Sequence, residues 1–411
     1  MKKIIIKVFT VLGFVSSIFL VSCSEDPTPS LYEIPSANLP APIISSISPS
    51  QQALAGVTPI TINGANFVSN PEYNRVYFNG KPGTVLSAAP NRLVVISPVV
   101  VSDTVEIKVS VVGSLDYSNS IKNYKLRAAV SELYPFDGST KKQEFPYGIC
   151  TDNLENVYFS FRETALAKGT KRIAPGATEY TEFAPDGPES FFKAITYASD
   201  NAVYAVRGGV RGVYRSTLGV APVAFVSSAQ GISDNVNDIE YDKTRDVLWG
   251  GGITGVLYRI RLDKNVRKFN ITGAINALKV TTNHLYVVSR INDAEDIIWK
   301  IPVFSADSIG TPEQYFNFSS SVDASIKVSD IEISADGDLY VGTNKIGDPL
   351  YVVHPDKSFE VVYPGLIKQG TYTMAWGTGT ILYMSTIIKD ADGAELNKSI
   401  YKIDLEKLRT N

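Results

Sequence analysis

A two-strand unit recurs six times along the last two thirds of the chain, and this repetition constrains the fold more than any other feature. Each unit begins at an apolar residue, crosses a short polar loop, and returns 8 or 9 residues later at a large apolar or aromatic residue. The six pairs are Ile149 with Tyr158, Ile195 with Tyr204, Ile239 with Leu248, Leu278 with Tyr286, Ile331 with Tyr340, and Ala375 with Tyr383. A nearly constant offset is what hairpins with a fixed register require.

Two more strand-like runs follow most of these hairpins, and the units begin 39 to 53 residues apart. Four strands in a period of about 45 residues are typical of a β-propeller blade. The sixth unit reaches Asn411 without a fourth run, whereas residues 130–136 stand unpaired before the first hairpin. We therefore expect residues 130–136 to complete the sixth blade, because closure removes exposed sheet edges.

Several phrases in residues 128–411 resemble the NHL and TolB-like propellers. They are Gly148-Ile149, Asp238-Ile239, Asp330-Ile331, and Leu-Tyr-Val at 285–287 and 339–341. The resemblance covers the whole segment and implies a six-bladed β-propeller. A pair of irregular β-sandwiches is the rival interpretation, and the even spacing of six hairpins argues against it.

Residues 41–127 consist of short alternating runs separated by Gly, Pro and Asn, a pattern typical of a small antiparallel sandwich. The phrases at 47–49 (ISP), 62–67 (INGANF), 76–80 (VYFNG) and 97–98 (SP) resemble the IPT/TIG family. That resemblance implies an immunoglobulin-like domain with Phe67 in its core, and a spacer or interaction role without chemistry. The predicted fold is thus all-β: an N-terminal immunoglobulin-like β-sandwich followed by a six-bladed β-propeller.

Residues 1–23 have the features of an export signal: two lysines, an apolar stretch, and then Leu20-Val21-Ser22-Cys23. Those last four residues resemble the lipobox of bacterial lipoproteins, which implies acylation of Cys23. The following Ser24-Glu25-Asp26 resembles the surface-export signal of lipoproteins in starch-utilisation-type glycan uptake systems. Residues 24–40 are rich in proline and are expected to form a linker.

Composition excludes several classes of function. With 39 Lys plus Arg against 42 Asp plus Glu, the chain lacks the basic excess of a nucleic-acid-binding protein. Two histidines cannot form a three-histidine metal site, and two cysteines cannot form a zinc or disulfide framework. Once Cys23 is lipidated, Cys150 is the only thiol, and we expect it to be buried and inert. No cofactor motif is present, so no cofactor is predicted.

Ligands of propellers usually meet residues just before the first strand's anchor and just after the second's, because these positions share one face. The predicted ligand-binding residues are Tyr147, Arg162, Arg207, Trp249, Arg290, Asn344, Tyr372 and Trp376. Lys193, Asn237, Asn276 and Lys327 occupy the same register. The three arginines can bind carboxylate or sulfate in bidentate fashion, or pair with acidic residues such as Asp293 or Glu240. The aromatic residues can stack on sugar rings or pack within blades.

A metal-dependent lactonase or lyase of the propeller type is the enzymatic alternative. Asn237, Asp238 and Asp330 are its candidate cation ligands, with Glu240 and Glu332 nearby. The repetition of Asp-Ile-Glu at 238–240 and 330–332 favours blade architecture instead.

The remaining polar candidates give no further support to catalysis. His284 and His354 have no evident partner in the sequence, so neither is predicted to be catalytic. Asp336-Gly337 and Asp392-Gly393 fit hairpin turns better than a calcium loop. No catalytic or metal-binding residue is therefore predicted.

The sequence thus predicts a lipid-anchored protein of the outer membrane, facing the exterior, which binds an extracellular polysaccharide or oligosaccharide through the propeller face. An outer-membrane transporter is the expected partner, and nucleic acid is not. A protein-interaction or adhesion scaffold remains the second alternative, beside the lactonase or lyase. The assignment of a glycan depends on the resemblance and on the predicted location.

Replacing the predicted acylation site tests the anchor. Cys23→Ala removes the sulfur that would carry the acyl chain, so the protein should move from the membrane fraction to the soluble fraction. Fractionation followed by mass measurement of the N-terminal peptide checks this, with Ser24→Ala as a control that keeps the cysteine. Retention of Cys23→Ala in the membrane fraction would contradict the lipoprotein interpretation.

Overall fold

The computed structural model describes residues 38–134, 144–163, 166–187, 192–207, 209–387 and 399–410. The predicted signal sequence with Cys23, and nearly all of the predicted linker, lie outside these residues. The described chain divides into two compact units. The first contains residues 38–53, 58–98 and 102–125, and the second contains residues 54–57, 99–101 and 126–410.

The N-terminal unit is an antiparallel sandwich, which confirms the predicted immunoglobulin-like fold. One sheet contains, in spatial order, Ile43–Ser48, Ile60–Ala65, Arg92–Ile96 and Thr84–Ala89. The other contains Gln52–Leu54, Ile121–Arg127, Ser102–Val111, Asn74–Phe78 and Lys81–Pro82, and a short 3₁₀ helix spans Pro71–Tyr73. Alternate residues such as Ile60 and Ile62 are buried, as expected for strands with one face on a core. Phe67 is buried, as predicted. A Cβ at Gly64 would collide with the Ile43 carbonyl oxygen, so the strand pairing there requires glycine.

The C-terminal unit is a six-bladed β-propeller, as predicted, and its first five blades follow chain order. Blade 1 contains Glu144–Thr151, Val157–Glu163, Leu166–Ile173 and Thr181–Ala184. Blade 2 contains Ala194–Tyr197, Val203–Val206, Gly212–Thr217 and Val220–Ser227. Blade 3 contains Val236–Asp242, Val247–Gly252, Val256–Arg261 and Val266–Asn270. Blade 4 contains Ala274–Val280, His284–Ile291, Glu295–Ser305, and both Ser308–Ile309 and Glu313–Asn317 on its outer side. Blade 5 contains Val328–Ile333, Leu339–Thr343, Leu350–Val353 and Phe359–Val361.

The sixth blade combines strands from both ends of this unit. Its order is Gly370–Trp376, Ile381–Ile387, Ile400–Asp404 and then Val130–Tyr134, which pairs antiparallel with the third strand. Residues 130–134 thus occupy the outer position expected of 130–136, and residues 135 and 136 lie outside the described chain. A 3₁₀ helix at Ser228–Gln230 and a short α-helix at Phe318–Ser321 complete the elements.

The second strands are apolar on both faces because each blade is covered by a neighbour on either side. Val203–Val206 and Leu339–Thr343 are buried along their whole length. Aromatic and aliphatic clusters between blades therefore form the core of the ring.

Polar contacts fasten blade 1 to blade 6. The hydroxyl of Thr151 donates to the Trp376 carbonyl at 2.8 Å. The Glu155 carboxylate accepts the N–H of Gly379 at 3.0 Å and also contacts Thr378. The junction between the first and last blades is thus secured by side chains as well as by the shared outer strand.

Five of the six first strands contain a β-bulge at the same level. The register shifts between Pro146 and Ile149, Val236 and Asp238, Ile275 and Ala277, Val328 and Asp330, and Thr371 and Thr373. A bulge turns the following side chains relative to the sheet, so it decides which residues face the channel.

No helix in the part of the chain that the structure describes is both long enough and apolar enough to cross a membrane.

Truncating the closing strand's buried aromatic residue should weaken the propeller. Tyr134 is 4% exposed and makes an edge-to-face contact with Tyr180 of blade 1, with ring centroids 5.3 Å apart. Tyr134→Ala should lower the free energy of unfolding by about 3 kcal/mol. All three tryptophans, Trp249, Trp299 and Trp376, lie in the propeller, so their fluorescence in a urea titration reports on this unit.

Ser131→Ala, on the same strand but exposed, provides the control and should change stability by less than about 0.5 kcal/mol. Equal stability of the two variants would show that the strand does not help to hold the ring.

Candidate binding site

A cavity of about 490 Å³ occupies the channel of the propeller. It is lined by the first strands of all six blades, by turns that follow several of them, and by Arg409 and Thr410. The lining starts near the middle of the first strands and extends toward their ends. The cavity therefore occupies the half of the channel away from the face on which sequence analysis placed the ligand.

The strand register places one residue from each blade at the same level of this cavity. Each of these residues pairs across its hairpin with an aromatic residue of the second strand, which in blade 3 is Trp249 and not the Leu248 inferred from sequence. They are Cys150, Thr196, Glu240, Lys279, Glu332 and Ala375. In blade 6 the residue equivalent to the other first anchors is therefore Met374, one position before the Ala375 inferred from sequence.

Three charged members of this level come from consecutive blades and form one ion-paired group. Lys279 Nζ lies 2.6 Å from Glu240 Oε1 and 2.9 Å from Glu332 Oε1. Burial alone would favour the neutral lysine, but the two carboxylates outweigh it and raise the pKa of Lys279. Burial raises the pKa of Glu332, and the Lys279 ammonium opposes that shift. Each charge of the group is therefore compensated by an oppositely charged neighbour.

Two aspartates fasten neighbouring blades at the level above. Each carboxylate accepts the N–H of the residue that follows it, at 2.9 Å for Asp238 and 2.8 Å for Asp330. Each also accepts an N–H from the next blade, from Leu278 at 2.7 Å and from Met374 at 2.6 Å, respectively. The repeated Asp-Ile-Glu therefore has the architectural role that its repetition indicated.

These aspartates are hard to ionise. They line the cavity and keep some accessible surface, but protein surrounds them closely, and this burial raises the pKa of Asp238 to about 7. Burial, reinforced by the charge of Asp238, raises the pKa of Asp330 well above its usual value. Lys193 lies near both carboxylates, and burial lowers its own pKa. Burial therefore favours the protonated form of both carboxyl groups, which can donate as well as accept hydrogen bonds.

The segment after the last strand crosses the end of the cavity. Thr410 N–H donates to the Ile333 carbonyl at 3.1 Å, and Ala335 N–H donates to the Leu408 carbonyl at 2.7 Å. Arg409 donates from Nη1 to the Trp376 carbonyl at 3.3 Å. This segment adds a guanidinium to a lining otherwise rich in carboxylates.

Three of the eight predicted ligand-binding residues come together at the bulges of blades 1 and 6. The rings of Tyr147 and Tyr372 meet edge to face, with centroids 5.4 Å apart. Arg162 Nη1 donates to the Tyr147 hydroxyl at 3.4 Å. Tyr147 is nearly fully buried, whereas Tyr372 and Arg162 are partly exposed. A ligand on this face of the propeller would meet the latter two.

The other polar candidates are separate. Arg290 makes a bidentate ion pair with Asp296 of its own blade, with both N–O distances 2.8 Å, and not with Asp293. Asn344 exchanges hydrogen bonds with the backbone of Lys327. Arg207 is half-buried. Of the two alternatives for the arginines, Arg290 thus follows the pairing with an acidic residue, which lies within blade 4.

Both predicted tryptophan platforms are packed inside the blades. Trp249 is 0% exposed, and its indole N–H donates to Asp242 Oδ2 at 3.1 Å. Trp376 is 2% exposed, donates to the Gly379 carbonyl and meets Tyr340 edge to face. Trp376 lines the cavity, whereas Trp249 does not. Neither offers an open ring face, because second-strand aromatics fill the space between blades.

The described residues provide no set of metal ligands for the lactonase or lyase alternative. Within the described ranges, no group of three His, Cys, Asp or Glu side chains is placed to hold a metal ion. Neither His284 nor His354 lines the cavity. The expectation that His354 lacks a partner is wrong, since its Nδ1 lies 2.8 Å from Asp338 Oδ1. Both residues lie beside strands of blade 5, 16 positions apart, and sequence spacing does not reveal this contact.

Comparisons with known proteins agree with this architecture. Residues 42–125 match the family model for the IPT/TIG domain. The search of curated proteins finds no match. A Bacteroides thetaiotaomicron structure of unknown function is 16% identical, covering 90% of this chain and 99% of its own, with a TM-score of 0.50.

Two further solved structures are similar to this chain. An auxiliary nutrient binding protein from Bacteroides thetaiotaomicron is 13% identical over 89% of this chain and 99% of its own, with a TM-score of 0.49. A luciferin-regenerating enzyme is 15% identical over 69% of this chain and 97% of its own, with a TM-score of 0.51. Identities this low establish a likeness of fold only.

Removing the central cation of the ion-paired group should destabilise the propeller in a pH-dependent way. Lys279→Met leaves Glu240 and Glu332 facing each other without a counter-charge, which should cost about 3 kcal/mol near pH 8. Protonation of either carboxylate removes their mutual repulsion, so the loss should shrink as the pH falls.

Urea titrations followed by tryptophan fluorescence at about pH 8 and about pH 5 measure this difference. Lys243→Met removes the same charge from an exposed lysine at the cavity edge and is the matched control. A loss that is independent of pH would indicate a packing defect and not an electrostatic one.

Proposed function

We propose that this protein binds an extracellular saccharide in the cavity of its propeller. The observation that carries the proposal is the ion-paired group of Glu240, Lys279 and Glu332 exposed to a cavity of about 490 Å³. That volume lies within the range of about 300 to 1,000 Å³ found for small-molecule sites.

The lining suits a ligand with many hydroxyl groups. A sugar hydroxyl both donates and accepts, so it is best bound where acceptors and donors alternate. Glu240 and Glu332 provide hydrogen-bond acceptors, and Lys279 provides a donor. Asp238 can donate or accept, because burial raises its pKa to about 7. Paired charges also keep their geometry without the ligand, which lowers the entropic cost of binding.

Aromatic residues of the lining add apolar surface. Tyr197 and Tyr241 lie on the first strands of blades 2 and 3 and line the cavity. Tyr197 is already stacked on Tyr158, with centroids 5.0 Å apart and an angle of 22° between the rings. Such rings match the C–H faces of a pyranose, whereas the carboxylates match its edge.

The proposed location follows from the N-terminal residues. The lipobox-like sequence ending at Cys23 and the acidic residues after it support an outer-membrane lipoprotein that faces the exterior. In that position the protein would capture a glycan for a partner transporter in the same membrane. Tyr372 and Arg162, on the opposite face, remain candidates for contacts with a longer oligosaccharide.

A saccharide screen with two sets of variants tests the proposal. The mature chain is applied to arrays of neutral and acidic oligosaccharides and polysaccharides, and the best ligand is then titrated calorimetrically. Glu240→Gln removes a charge from the cavity lining at constant side-chain volume, and Arg409→Gln removes the guanidinium while keeping a polar side chain. Each should weaken binding at least about tenfold, or about 1.4 kcal/mol.

Arg162→Gln, Arg207→Gln and Arg290→Gln change the face predicted from sequence and are the comparison set, with folding checked by tryptophan fluorescence. Unchanged binding in this set locates the ligand in the cavity, and the reverse pattern would move the site to that face. Absence of binding to any saccharide would overturn the proposed function.

A further inference from the structure

Two arginines share a single carboxylate on the face of blade 3 that meets blade 4, and a third arginine lies beside them on the neighbouring strand. Arg259 and Arg261 are two residues apart on the third strand, so they share one face of the sheet. Arg267, on the outer strand, is the direct cross-strand partner of Arg259. The carboxylate is that of Asp307, which follows Ser305 of blade 4.

The innermost arginine is held rigidly. Arg259 is 3% exposed, and it donates from Nη1 to the side-chain and backbone oxygens of Asn265 at 2.9 and 3.0 Å. Its Nη2 contacts Asp307 Oδ1, and Arg261 Nη2 lies 2.6 Å from Asp307 Oδ2. The arrangement fixes the positions of two guanidinium groups around one acid.

The outer arginine is placed differently. Arg267 is exposed, and its guanidinium carbon lies 5.6 Å from the centroid of the Phe269 ring. The structure gives it no ion pair with any of the residues it describes. The ion pairs between blades 3 and 4 join Asp307 to Arg259 and Arg261, so Arg267 has no part in them.

The positive charge of this cluster exceeds its negative charge. Burial lowers the pKa of Arg259, and the charges of Arg261 and Arg267 act in the same direction against the attraction of Asp307. Arg259 Nε is also buried without a hydrogen-bond partner among the described residues. One carboxylate therefore does not compensate three guanidinium groups, and a second anion would do so.

We propose that Arg261 and Arg267, arranged around the buried Arg259, bind one carboxylate or sulfate group of an acidic saccharide. This inference extends the proposed saccharide function and uses none of the cavity residues. A guanidinium presents two parallel N–H donors that match the two oxygens of a carboxylate or sulfate, which a lysine cannot do. Phe269, beneath Arg267, holds the guanidinium plane in place.

The chain offers a closely matched control for this site. Lys268 is exposed on the same strand as Arg267 but on its opposite face, so Lys268→Gln removes one positive charge without touching the cluster. The test variants are Arg267→Gln and the double variant Arg261→Gln/Arg267→Gln, which both leave Arg259 and Asp307 paired. Calorimetric titrations use a sulfated oligosaccharide, its desulfated form, an oligogalacturonate and inorganic sulfate.

The acidic oligosaccharides should bind the unmodified chain at least about tenfold more tightly than the desulfated form. Arg267→Gln should lose about tenfold in affinity for them and the double variant more, whereas Lys268→Gln should stay within about twofold. Equal losses in Arg267→Gln and Lys268→Gln would overturn the site, because they would indicate diffuse attraction.

The remaining outcomes separate this inference from the proposed function. Neutral saccharides that bind through Glu240, with no preference for acidic ones, would overturn the arginine site and leave the cavity site standing. Acidic saccharides that bind through Arg267 but are insensitive to Glu240→Gln would support the arginine site and remove the cavity site. Binding of inorganic sulfate alone would overturn a saccharide as the source of the anion.

Discussion

Hydrogen bonds from the first strand of one blade to the next hold the channel open, and the rest of the propeller depends on them. Asp238 and Asp330 accept backbone N–H groups of blades 4 and 6, and the Thr373 hydroxyl accepts the Ile149 N–H of blade 1 at 3.3 Å. These three side chains occupy the same position in the first strands of blades 3, 5 and 6. Because they bond laterally to backbone, they set the spacing of the first strands while leaving the centre unfilled.

This arrangement couples the architecture to the chemistry of the cavity. A carboxylate placed to accept N–H groups between blades is also surrounded by protein, so its desolvation raises its pKa. The next level down contains Glu240, Lys279 and Glu332, whose mutual attraction offsets the same cost. A propeller filled by apolar side chains would avoid both costs but would present no polar cavity. The charged lining is therefore consistent with selection for a ligand and not for stability alone.

The periodicity of the sequence was sufficient to predict the fold. Each blade must bury both faces of its second strand, so these strands recur in the sequence as apolar segments. The absence of a fourth run in the last unit predicted residues 130–136 as the closing segment, and residues 130–134 form that strand. The site was less accessible to sequence reasoning because a bulge before Asp238 or Asp330 shifts the register by one residue, and hairpin spacing does not record it. Lys279 was not predicted as a site residue. Its role becomes evident only when it is aligned with Glu240 and Glu332, and the repeat units that contain these residues differ in length. Trp249 is the opposite case. The sequence predicted it as a ligand-binding residue, but it is fully buried in the core.

Charge is distributed unevenly within a chain whose formal net charge is only −3. In blade 3 a single row of paired residues runs from Glu240 at the channel through Trp249 and Arg259 to Arg267 at the outer strand. The buried indole separates the acidic end of this row from its basic end, so the two charges do not neutralise each other at short range. One blade can thus present a site for hydroxyl groups at its inner edge and a site for an anion at its outer edge. Total composition conceals this separation, because opposite charges at the two ends of a strand row cancel in the sum but not in space.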